Sequence, residues 1–201
     1  MIDNFDILSG WFNNLIDSRD FFFVQVIQRR KDCKIDTNYN VIKDYYFFNE
    51  ETFLSKKEEI ITLCKAFNAR AYFWVNPRNC KEVQYELIRE TLKAIEVGAY
   101  KLFGNLSKAI GHKRSSNFKP IWILDFDTKD TELITKYLDI AMGCKHAGSS
   151  LVFDLIPTVN GYHALTKGFD LKQFNQQLAI AKLDNIDIHK DNPTVLYYSN
   201  E

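Results

Sequence analysis

Two carboxylates close an apolar run in Ile121-Trp122-Ile123-Leu124-Asp125-Phe126-Asp127. Alternate side chains of a strand share a face, so the i, i+2 spacing turns Asp125 and Asp127 to one side and Phe126 to the other. Adjacent carboxylates repel, and withdrawing either from water costs free energy unless a cation compensates. Hard divalent ions that prefer oxygen ligands, Mg2+ or Mn2+, are the expected cofactors. The competing reading is a pair of solvated acids that end the strand at a turn begun by Thr128.

Other residues could join this chemistry. Asn160-Gly161 is a strong hairpin signal and puts His163 at the start of the returning strand. By alternation His163, Leu165 and Lys167 share a face, so an imidazole and an ammonium could bind a phosphate chain together, or stand as a surface histidine and a solvated lysine. In Ile186-Asp187-Ile188-His189 the isoleucines face a core, which turns Asp187 and His189 the other way. A third carboxylate on the sheet face of Asp125 and Asp127 would complete a two-metal site; the competing reading is a plain amphipathic edge strand. Arg78 follows a buried strand in Asn76-Pro77-Arg78-Asn79, and Arg70 stands at that strand's other end. A loop arginine there could contact phosphate or form a surface ion pair. The basic groups Arg29-Arg30-Lys31 and Lys113-Arg114 could track a nucleic-acid backbone or remain solvated.

The elements that must position these residues follow from periodicity. Helical spacing is expected over 4–17, 50–67, 81–103, from Thr128 or Asp130 to about 146, and over 171–181. Strands are expected at 21–28, 41–48, 69–75, 121–127, 151–156, 162–167, 185–189 and 194–198, with the first two able to form a hairpin. Pro77 ends the third strand, because proline cannot continue a central ladder. Gly104 to Lys119 reads as an exposed loop, and Gly148-Ser149-Ser150 as a break. From residue 119 the order β-α-β-β-α-β-β is close to a split βαβ sheet with helices on one face. The fold class expected is α/β (α+β): one domain, with an N-terminal α/β portion over 1–118 and the catalytic portion over 119–201.

Composition narrows the function classes. The 201 residues are 46% hydrophobic, with 26 basic and 26 acidic side chains. That balance argues against a protein coated for nucleic-acid binding, although a local basic groove is compatible with it. Cys33, Cys64, Cys80 and Cys144 form no close pair, so free thiols are expected rather than zinc. No basic leader and no apolar run of membrane-spanning length is visible, so a cytoplasmic setting without a membrane partner is expected.

Taken in order, Asp125 and Asp127, Gly161-Tyr162-His163, and Ile186-Asp187 resemble the three-motif signature of the archaeo-eukaryotic primase superfamily, the primase-polymerases. The family pattern is an apolar strand ending in two acids, a small-residue-x-His motif, and an apolar residue followed by Asp. The segment 70–78 looks like the region ahead of the first motif in phage and mobile-element members. Gly161 stands where the family often has a phosphate-binding serine. The resemblance implies an RRM-like catalytic core and template-directed nucleotidyl transfer, adding NTP or dNTP to a 3′ hydroxyl with two divalent metals. It implies that Asp125, Asp127 and Asp187 hold the ions, that His163 contacts the triphosphate, and that Lys167 and Arg78 assist. It also implies nucleoside triphosphates, a DNA or RNA template and other replication proteins such as a helicase as partners, in a bacterial or phage-infected cell. The alternative is a primase-like module that binds nucleotide or nucleic acid without turnover. A HAD-type phosphatase also opens with two aspartates after an apolar strand, but its threonine normally lies two residues past the second Asp, whereas Thr128 follows Asp127 at once, and a metal-dependent glycosyltransferase leaves the Gly-Tyr-His and Ile-Asp motifs unexplained.

Overall fold

The β-branched and aromatic runs build two antiparallel sheets. The computed structural model describes residues 1–32, 39–99, 103–112, 115–116, 120–144 and 152–199. The expectations on Cys33, Lys113-Arg114, the start of the second portion at residue 119, Gly148-Ser149-Ser150 and the start of the strand at Leu151 lie outside these residues. In chain order the first elements are β1 (Ile2–Asp3), α1 (Phe5–Ser9), β2 (Asp20–Arg29), β3 (Tyr39–Phe47), α2 (Glu50–Ser55), α3 (Lys57–Ala66), β4 (Arg70–Trp74), β5 (Arg78–Asn79), α4 (Cys80–Glu96) and α5 (Phe103–Gly111). They are followed by β6 (Ile121–Phe126), α6 (Thr131–Met142), β7 (Val152–Pro157), β8 (Tyr162–Lys167), α7 (Leu171–Ala181), β9 (Asp187–His189) and β10 (Pro193–Tyr198). The first sheet has the order β1-β10-β4-β2-β3, with β5 beside β2, and the second has the order β7-β8-β6-β9.

Several expectations are refined. The helix expected over 4–17 is α1 plus a 3-10 turn at Gly10–Asn14, and the one over 50–67 divides at Lys56. The helix expected to reach residue 103 stops at Glu96, and Gly98, at φ +68°, supplies the left-handed conformation that closes helices. Much of the stretch read as a loop from Gly104 is instead α5. Its Ala109 and Ile110 are buried with Phe21, Phe23 and Val83, so polar neighbours masked a short apolar face.

The largest correction concerns β10. It belongs to the first sheet, between β1 and β4, although it follows the second-sheet strand β9 by only three residues. Its residues Thr194 to Tyr198 are all buried, as suits an interior strand covered on both faces. The portion from 119 onward is therefore not one sheet with a spare strand; its last strand completes the N-terminal sheet.

Alternation in β6 divides the core. Leu124 and Phe126 pack with Ile134, Tyr137, Phe174 and Leu178 of α6 and α7. Ile123, with Leu165 and Ile156, faces the other way and joins the buried cluster of Phe22, Phe73, Val75 and Leu196 from the first sheet. The helices thus cover one face of the second sheet, and the first sheet covers the other. Asp130 begins α6 by accepting hydrogen bonds from the amides of Glu132 and Leu133, both at 3.0 Å.

A polar clasp joins the sheets. The Asn76 amide group donates to the Ile121 carbonyl at 3.1 Å and accepts from its N–H at 2.6 Å, taking the place of a neighbouring strand. Asn76 also donates to Asp191 at 3.0 Å. The fully buried Arg78 donates through Nη2 to both Asp191 oxygens at 3.0 and 3.1 Å and lies 5.0 Å over the Trp74 ring. Asp191 lies between β9 and β10, so the clasp fixes the crossing from one sheet to the other. Removing one member of a buried ion pair leaves an uncompensated charge, which typically costs ~3 kcal/mol or more. Asp191→Ala is accordingly expected to lower stability in urea unfolding by about 3 kcal/mol, and Arg78→Met/Asp191→Leu by markedly less. A loss below ~1 kcal/mol for the single change would show that the clasp carries little.

Candidate active site

Three strands bring together residues distant in the chain. Asp125 on β6 pairs directly with His163 on β8 and, on its other side, with Asp187 on β9. These residues form one row across the sheet, on the face that Ile123 and Leu165 present to the first sheet. The row lies one step beyond the buried Ile123, so the inter-sheet core opens to solvent here. Asp125 is half-buried, and Asp187 is exposed. Asp127 is also exposed, one residue past the end of β6.

The imidazole is fixed from both ends. His163 Nε2 lies 3.3 Å from Asp125 Oδ1, and Nδ1 lies 2.8 Å from Oγ1 of the fully buried Thr194 on β10. When Nε2 carries the proton, it donates to the carboxylate and Nδ1 accepts from the threonine hydroxyl. This hydrogen bond holds the Asp125 carboxyl below its usual range against the opposing effect of burial, with the charges of His163 and His189 adding to it. On the other side His189 Nε2 lies 4.0 Å from Asp125 Oδ2.

Backbone contact pins the strand end that carries Asp127. A Cβ on Gly161 would lie 1.9 Å from the Phe126 carbonyl oxygen and 2.5 and 2.6 Å from Thr128 backbone atoms. The Gly161 N–H donates to Thr158 Oγ1 at 3.1 Å, and its carbonyl accepts from the Thr158 N–H at 2.9 Å. The hairpin tip therefore packs main chain to main chain on the segment holding Asp127, which excludes a serine in this arrangement.

Two expected phosphate helpers stand elsewhere. Arg78 is fully buried and engaged by the clasp through Nη2 alone, its Nε and Nη1 lying buried without a hydrogen-bond partner, and burial pulls its guanidinium below the usual range against the pull of Asp191. Lys167 is exposed and pairs with Ile121, four residues from His163, or about 13 Å at the rise of a strand. There it lines a cavity of about 920 Å³ with Trp11, Trp122 and Asp154, and Asp154 accepts from Trp11 Nε1 at 2.7 Å. Arg70 forms two bonds to Asp32, at 2.8 and 2.6 Å, and stacks on Tyr198. Arg29 donates to the Tyr72 hydroxyl at 2.8 Å. Sequence reasoning missed Thr194, Asn76 and Asp191, whose roles arise only from pairing across the two sheets.

The donor set suits a hard divalent cation. Asp125 and Asp187 are direct cross-strand neighbours, with Cβ atoms ~5 Å apart, where like charges destabilise a sheet. An ion between them would turn that repulsion into shared ligation, and their oxygens match Mg2+ or Mn2+. Among the described residues no three His, Cys, Asp or Glu side chains stand gathered for metal binding, so closure of such a site requires side-chain movement. No protein-family model, curated protein or solved structure matches this chain.

The backbone contacts at residue 161 make a direct test. Gly161→Ala is expected to destabilise the fold by about 3 kcal/mol, because only backbone atoms can give way. An unchanged melting temperature would show that the hairpin tip does not seat on the end of β6.

Proposed function

We propose that the chain is a primase-polymerase-like nucleotidyltransferase, adding NTP or dNTP to a 3′ hydroxyl on a DNA or RNA template. The observation that carries the reading is the row Asp187–Asp125–His163 across three adjacent strands, at the mouth between the sheets. The succession β6-α6-β7-β8-α7-β9 with sheet order β7-β8-β6-β9 supports it, since an RRM-like core has this arrangement.

Each residue has a task in this reading. Asp125 and Asp187, with Asp127 at the strand end, would hold Mg2+ or Mn2+, whose chemistry is activation of the 3′ hydroxyl and neutralisation of the departing pyrophosphate. Thr194 holds the His163 ring so that Nε2 meets anionic oxygen, Asp125 in the free protein and a triphosphate oxygen in the complex. The clasp of Asn76, Arg78 and Asp191 keeps the two sheets in place around the row, which makes Arg78 a positioning residue. Lys167 stands four residues along β8 from His163, beside the cavity lined by Trp11 and Trp122. Among the described residues no helix is long and apolar enough to cross a membrane.

Primer extension and de novo synthesis with NTPs or dNTPs, with Mg2+ or Mn2+, test the reading. Wild type is expected to give metal-dependent product, and Asp125→Ala/Asp127→Ala at least a hundredfold less. Equal product from the variant would overturn the assignment. Triphosphate binding without any product would favour the binding-module alternative.

A further inference from the structure

Helix α4 turns its larger apolar side chains away from the protein. Val83 and Leu87 pack with Phe21 and Phe23, on the side of the first sheet opposite the inter-sheet core. Tyr85, Ile88, Leu92 and Ile95 point outward, each 51 to 57% exposed. Their spacing of three, four and three residues is the a/d repeat of a coiled coil, so they form one apolar seam along the helix rather than scattered exposed residues. Such a seam suits another helix, whose side chains enter the holes between its own.

Charge decides which helix that is. The flanks of the seam are neutralised within α4: Arg89 Nη1 lies 3.6 Å from Glu86 Oε1, and Lys93 Nζ lies 2.8 Å from Glu90 Oε1. The ends are not neutralised. Exposed Lys81 stands in the first turn and exposed Glu96 closes the last, and neither forms an ion pair among the described residues. Each has the wrong sign for the dipole of its own helix and the right sign for the opposite end of an antiparallel neighbour. The seam is thus complementary to itself reversed. We propose that α4 pairs with α4 of a second copy of this chain, antiparallel about a twofold axis between Ile88 and Leu92. Tyr85 then meets Ile95 of the second copy, Ile88 meets Leu92, and Lys81 comes within about one helical turn of Glu96. The 17-residue helix is about 25 Å long, so the interface is small and the dimer reversible. The contact lies across the first sheet from the acid row and does not depend on the proposed activity.

Sedimentation equilibrium of the full chain from roughly 1 to 200 μM tests this pairing. Wild type is expected to approach the mass of two chains as concentration rises, and Ile88→Glu/Leu92→Glu to stay at the mass of one. Both side chains are exposed, so at the lowest concentration the variant should melt as wild type does. Lys81→Glu and Glu96→Lys are each expected to weaken dimerisation about tenfold, and Lys81→Glu/Glu96→Lys to restore it to within about twofold of wild type. Wild type that stays at the mass of one chain overturns the proposal and leaves the seam for a helix of another protein. A dimer that survives in Ile88→Glu/Leu92→Glu places the contact elsewhere and overturns it too. Single charge changes without effect, or a double change that fails to restore the dimer, overturn the antiparallel pairing.

Discussion

The period of two in β6 is the constraint on which the site depends. Leu124 and Phe126 are committed to the helix layer, and Ile123 to the inter-sheet core. Asp125 must then share the Ile123 face, one step nearer solvent. A shift of one residue in register would bury the carboxylate among Tyr137, Phe174 and Leu178 and turn the apolar side chains outward. The core therefore sets the position of the acid row. The same alternation in β8 and β9 brings His163 and Asp187 to opposite sides of Asp125.

The second requirement is that the first sheet stay docked. Its β10 supplies Thr194 to His163, the turn after β4 supplies Asn76 to Ile121 and Asp191, and β5 supplies Arg78 to Asp191. Asn4 reinforces the junction by donating to the carbonyls of Pro157 and Val195, both at 2.9 Å. Neither sheet holds the imidazole alone: β8 carries the ring, and β10 carries the hydroxyl that orients it. The chain crosses between sheets at Lys190-Asp191-Asn192, so one short connection both ends the strand bearing Asp187 and anchors the clasp.

Much of the candidate site was legible in the sequence because a strand's side-chain period is fixed by geometry. Ile186 and Ile188 pack with the helix layer, which turns Asp187 and His189 toward Asp125 as alternation requires. The destination of β10 was not legible, because an apolar run reads alike in either sheet. Arg78 looked like a loop arginine, and only the arrival of Asp191 from 113 positions away accounts for its burial. Lys167 shares a strand face with His163, but a shared face says nothing of the distance along it. Short α5 was hidden by its polar neighbours, and the close approach of Gly161 to Phe126 depends on a contact between separate strands.

The central claim is that the row Asp187–Asp125–His163 binds a divalent ion and a triphosphate together. Its most direct test is a crystal structure of the protein with Mn2+ and a non-hydrolysable nucleoside triphosphate, using the anomalous signal of manganese. The account predicts an anomalous peak at bonding distance from Asp125 and Asp187, with a phosphate oxygen beside His163. A nucleotide seated elsewhere, such as the cavity beside Lys167, with no manganese on the acid row would contradict it.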